Sequence, residues 1–110
     1  MIRFKKSVKL GRLQPELLAG MMIADQAYEA MRPGKAMWIT SVNDSKHGFA
    51  SLHLVGQACD IRAKDLTKAE ANTLRDRIAD RLNAEFDVVV EWDKMIKANC
   101  HVHLEWQPKK

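Results

Sequence analysis

The sequence predicts an α+β fold: a mainly antiparallel sheet with two helices packed on one face. Three observations carry that prediction. Two segments place apolar residues at helical spacing behind clear start signals. Short β-rich segments lie before, between and after them. In the last of these, His101, His103 and Glu105 alternate with Cys100, Val102 and Leu104, the period of a strand with one apolar face.

Taken in order, residues 1–13 are basic and irregular, an N-terminal arm or edge strand of a single domain spanning residues 1–110. Gln14-Pro15-Glu16 then opens a helix, with proline where no amide partner is needed and an acid in the first turn. Leu17, Leu18, Met21, Met22, Ala24, Tyr28 and Met31 form its apolar face, and Pro33-Gly34 ends it. Its methionines are core packing, since their flexible side chains fill irregular gaps. Ala36 to Val42 reads as a strand and Asn43 to Ala50 as a polar loop. Ala58 to Arg62 is the next strand. Thr67-Lys68-Ala69-Glu70 is a capping box that starts a helix reaching about Asn83, with Ala71, Leu74, Ile78 and Leu82 on its inner face. Phe86 to Trp92 is apolar enough to read as a central strand. Trp92 to Asn99 is a polar excursion before the final strand.

The chain has 110 residues, 46% hydrophobic and 29% charged, which suits one globular domain rather than a disordered one. A net charge of +4 invites anionic company. Nucleic acid is the weakest candidate, because no aromatic RNA motif or basic recognition helix is present. No stretch is apolar and long enough to enter a bilayer, and no signal peptide is evident. The expectation is a monomer made in a host cytoplasm that acts elsewhere. Cys59 and Cys100 are too few for a disulfide framework and are expected as buried free thiols.

The chemistry concentrates in two places. Ser51-Leu52-His53-Leu54-Val55-Gly56-Gln57-Ala58-Cys59-Asp60 offers an imidazole and a carboxylate with a glycine between them, at which the chain can reverse. His101-Val102-His103 offers two imidazoles that a strand points the same way. Imidazole with carboxylate is a donor set that holds a catalytic zinc and leaves a position open for water. Three of the four histidines fall in these segments, and His47 lies just upstream.

S-x-H-x-x-G-x-A-x-D followed by H-x-H resembles the zinc core of the D-Ala-D-Ala carboxypeptidase and Hedgehog superfamily, and within it the small peptidase-like proteins of phages and prophages. The flanks Ile39-Thr40-Ser41-Val42, Lys46-His47, Asp60-Ile61-Arg62 and Phe86-Asp87-Val88-Val89-Val90-Glu91 agree, so the likeness runs from about Leu13 to Pro108. The resemblance implies that fold and a zinc ion on His53, Asp60 and His103. It also implies His101 beside the metal as general base or stabiliser, and Ser51 and His47 near the substrate. The implied activity is hydrolysis of an amide in peptidoglycan stem or cross-link peptides, during lysis or wall opening. Arg62, on the face of Asp60, could then pair with an anionic stem peptide. The sequence departs from the peptidase pattern in one respect: no acid lies shortly before the last ligand. Glu91 is the expected base provided the Trp92–Asn99 segment loops out, with Glu105 a weaker stand-in. Lys97 is a solvated loop charge or a contact to a substrate carboxylate. A zinc module that binds muropeptides or a phage structural partner without turnover is the alternative reading.

Overall fold

Alternation in the C-terminal segment sets the layering. Val102, Leu104 and Trp106 are buried, while His101, His103 and Glu105 are only half-buried. The computed structural model describes residues 1–11, 13–44 and 56–108. Its elements in chain order are β1 (Ile2–Phe4), α1 (Pro15–Met31), β2 (Met37–Asp44), β3 (Gln57–Arg62), α2 (Lys68–Arg81), β4 (Phe86–Glu91) and β5 (His101–Trp106), with a short 3-10 turn at Lys97–Asn99. The strands form one sheet in the order β1-β2-β3-β5-β4. β1 runs parallel to β2 and the other pairs are antiparallel, so the sheet is mixed. The N-terminal segment is therefore an edge strand rather than a free arm.

Both helices cover the face carrying Cys59, Ile61, Val102 and Leu104, and Leu17, Met21, Leu74 and Ile78 complete that core from above. The opposite face is left for polar chemistry. α2 starts as its capping box requires: the Glu70 amide donates to Thr67 Oγ1 at 3.1 Å, and the Thr67 amide donates to the Glu70 carboxylate at 2.9 Å. The start of α1 is tied to the sheet by a side chain. The Gln14 amide donates to Gln57 Oε1 at 2.8 Å, and Gln57 Nε2 donates to Asp44 at 3.1 Å. Gln57 is thus buried with its amide satisfied, as a buried polar group must be.

Two expectations change. β2 runs on to Asp44, past the expected end at Val42. β4 is an edge strand, not a central one: it pairs with β5 on one side only. Its run of three valines looks doubly buried, but Phe86, Val88 and Val90 face the core while Val89 is exposed between Asp87 and Glu91. Cys59 and Cys100 are buried and free, as expected. No described helix is long and apolar enough to cross a membrane.

The contact between α1 and β4 is close at Gly20. A Cβ there would lie 2.8 Å from Phe86 Cε1 and 3.5 Å from a Leu104 methyl. Gly20→Val is expected to cost roughly 1–3 kcal/mol by overpacking. Urea unfolding checks it, through a lower midpoint at unchanged slope.

Candidate metal centre

The site is built from facing residues of three adjacent strands. In the β3–β5 register Asp60 lies opposite His103 and Arg62 opposite His101; in the β4–β5 register Glu91 lies opposite His101. Side chains with the same parity then emerge together on the face away from the helices. Ser41, opposite Asp60 on β2, donates its hydroxyl to Asp60 Oδ2 at 2.7 Å. That bond fixes the carboxylate and leaves Oδ1 turned towards the imidazoles.

Asp60, Glu91 and His101 each bring one donor atom, and the three atoms lie within 4.8 Å of one another. His101 Nε2 is 3.2 Å from Glu91 Oε1 and 3.8 Å from Asp60 Oδ1. Ligand atoms around a four-coordinate zinc stand roughly 3.4 Å apart, from metal–ligand bonds of about 2.1 Å. Two carboxylate oxygens and one imidazole nitrogen at such separations fit a divalent cation.

His103 is held differently. Its Nδ1 lies 2.9 Å from the same Asp60 Oδ1, and its Nε2 lies 3.0 Å from Glu105 Oε1. With a carboxylate at each nitrogen the ring is an imidazolium donating both protons. The hydrogen bond to Asp60 raises its pKa to about 9 against the opposing effect of burial, and Glu105 and the charges of Asp60 and Glu91 add to the rise. Burial pushes the Asp60 carboxyl up, yet the hydrogen bonds from His103 and Ser41, with the charges of the two histidines, outweigh it and hold the group below its usual range. Asp60 and His103, expected as ligands together, are paired with each other here, and His103 Nδ1 also lies 3.7 Å from Glu91 Oε1, so His103 stands beside the Asp60, Glu91 and His101 donors rather than apart from them. His53, Ser51 and His47 lie outside the described residues.

Glu91 reaches the cluster because residues 92–100 loop out. Asp93 organises that loop: its carboxylate accepts from the amides of Met95 and Ile96 at 2.8 and 2.9 Å and from Asn99 Nδ2 at 3.0 Å. The Cys100 thiol closes the base by donating to the Asp93 carbonyl at 3.3 Å. Lys97 is part of the same anchor. Its ammonium sits 4.6 Å from the Trp92 ring centre and donates to the Leu66 carbonyl, so this exposed loop residue is tethered to the base of the loop. Glu105 stands on the far side of His103 from Asp60, also bonded by Gln107, and orients the ring. Arg62 shares a depression of about 420 Å³ with Asp60 and His101, where it lies over Trp38 and pairs with Asp65 at 3.0 Å.

Compared with family models, with curated proteins and with solved structures, the chain matches none. The site is therefore read from its own geometry. Ser41 and the loop-forming Asp93 escape a reading of the sequence. The serine acts through cross-strand register, which no local pattern displays. Asp93, two residues after Glu91, carries a signal in the Asp-x-x-x-x-x-Asn spacing of a side-chain-capped turn.

Two predictions come from this geometry. In metal-free protein the His103 ring protons should titrate near pH 9 by NMR, and Asp60→Asn should bring the midpoint down towards the ordinary 6.5. Because the proton on His103 is held more tightly in the folded chain, its stabilisation is complete below about pH 6.5 and disappears as pH rises through 9. For Asp60 the sign reverses: the contribution is present above the ordinary carboxylate value and is lost as pH falls through its lowered one. Second, His101→Asn or Asp60→Asn should weaken zinc binding by at least about tenfold, while Glu105→Gln, acting through His103, should have a smaller effect. Competition with a chromophoric chelator measures both.

Proposed function

We propose that this chain is a zinc-dependent hydrolase of amide bonds in peptidoglycan stem or cross-link peptides, of the phage or prophage type that its motifs resemble. The observation that carries the reading is the convergence of Asp60, Glu91 and His101, of which Asp60 and His101 line an open depression. Enclosed structural zinc sites are built from four protein ligands, whereas a hydrolytic site keeps a position for water. Asp60 would hold the ion with Glu91 alongside; His101 takes the histidine place that the resemblance gives to His103, and His53 is the further ligand that the resemblance implies. When bound, zinc makes a water acidic enough to lose its proton near neutral pH and polarises a carbonyl.

The residues divide the remaining work. Glu91 is the most exposed member of the cluster and is the group to take a proton from the attacking water. His103, fixed between Asp60 and Glu105, holds the Asp60 carboxylate in place beside the reacting centre. Ser41 keeps the Asp60 carboxylate from turning. Peptidoglycan as substrate rests on the resemblance of the paired motifs.

One observation favours a second reading, a zinc module that binds without turnover: both nitrogens of His103 are already engaged by carboxylates. Mass spectrometry of soluble products from purified peptidoglycan separates the two. The hydrolase should release peptide fragments that vanish with a chelator, and Glu91→Gln should lower their rate about 100-fold or more. A folded, zinc-loaded protein that binds the wall and releases no fragment would establish the binding module instead.

A further inference from the structure

The depression beside the cluster carries more positive charge than the described site can use. Lys5, Arg62 and Lys64 line it together with Trp38, and Asp60 is its one carboxylate among the described lining residues. The lysines come from separate parts of the chain. Lys5 follows β1, and its amide donates to the Ile39 carbonyl at 2.9 Å, so the backbone from which it projects is part of the sheet. Lys64 lies in the turn after β3, held on either side by Ala63 bonding to the Cys100 carbonyl at 3.0 Å and Leu66 bonding to the Ala63 carbonyl at 3.0 Å. Neither ammonium has a carboxylate or hydrogen-bond partner among the described residues. Arg62 does, with Asp65, and its charge is only partly available.

From this arrangement we infer that Lys5 and Lys64 form a carboxylate subsite, which selects peptides bearing a free carboxylate close to the bond presented to the cluster. A cation at Asp60, with Glu91 alongside, would neutralise the acids of the site and leave the lysine charge unanswered. Uncompensated charges that share a concave wall attract a mobile anion and orient it. Two ammonium groups on flexible stems act as point charges suited to a small anion, while the Arg62 guanidinium is engaged by Trp38 and Asp65. A nucleic-acid strand fits less well. The face of Trp38, the natural stacking platform, is already covered by the Arg62 guanidinium 5.2 Å from the ring centre. The inference deepens the proposed hydrolase, on which it rests for the identity of the bond. Lys5 and Lys64 are specificity-determining residues in it, not catalytic ones.

The experiment uses the full chain loaded with zinc and two probes, an N-acetylated alanyl dipeptide ending in a carboxylate and its carboxamide twin. Affinity is measured by titration calorimetry and turnover by mass spectrometry. The carboxylate form should bind at least about tenfold more tightly, the scale of one charge-assisted contact. Lys5→Gln combined with Lys64→Gln should abolish that preference without changing zinc content, and Lys5→Arg combined with Lys64→Arg should keep it. Equal affinity for the two probes, binding of neither, or a preference that survives the glutamine pair overturns the inference. So does an oligothymidylate that binds more tightly than the dipeptide and loses affinity in the glutamine pair. Carboxylate preference without cleavage leaves the subsite standing and removes the hydrolase; cleavage of both probes alike does the reverse.

Discussion

β5 is hydrogen-bonded on both sides, to β3 and to β4, and everything on the polar face follows from that confinement. A strand held in this way cannot rotate or slip by one residue without exchanging its two faces. Val102 and Leu104 lie in the core, so any slip would drive two histidines into an apolar layer and expose the residues that hold the helices. The energy that fixes the position of His101 is therefore not local to His101. It is the burial of its neighbours, on the order of 1.5–3 kcal/mol for each large side chain. The same confinement brings Asp60 and Glu91 to β5 from opposite sides, and neither needs a dedicated support beyond Ser41 and the Asp93 turn.

The polar cluster illustrates how such a face stays folded without an ion. Two acids brought together repel, and burial raises the cost. The imidazolium of His103 offsets this by bonding one acid at each nitrogen. A cation that arrives must compete with that proton for the Asp60 oxygen, so ion binding and proton release are coupled at this carboxylate.

Much of this was legible in the residues. The Thr67–Glu70 box, the proline start of α1, the alternation along β5 and the buried thiols all rest on short-range patterns, and short-range patterns survive folding unchanged. Asp60, His101 and Arg62 were also identifiable, because two strands with known parity determine which side chains share a face. What could not be read belongs to pairing. Whether Phe86–Glu91 lies inside the sheet or at its border depends on which partner takes its second edge, and three valines do not record that. The parallel direction of β1, the Ser41 bond to Asp60 and the placing of Lys5 and Lys64 along one depression are likewise products of register between segments distant along the chain. His103 was legible as a site residue. Its protonation was not, since that depends on the two carboxylates at its ring nitrogens.

β4 has only one neighbour, and Glu91 lies at the end of it. A border strand of six residues is the part of a sheet that opens first, because half of its backbone groups have only water to lose. An ion on Asp60 and His101, with the Glu91 carboxylate drawn to its charge, would tie all three strands at that end, in the manner of a rivet through the last plank. Fraying of the border and release of the ion then become a single event. The amides of β4 would report that event by exchanging with solvent at a rate set by free metal concentration, long before the remainder of the domain unfolds.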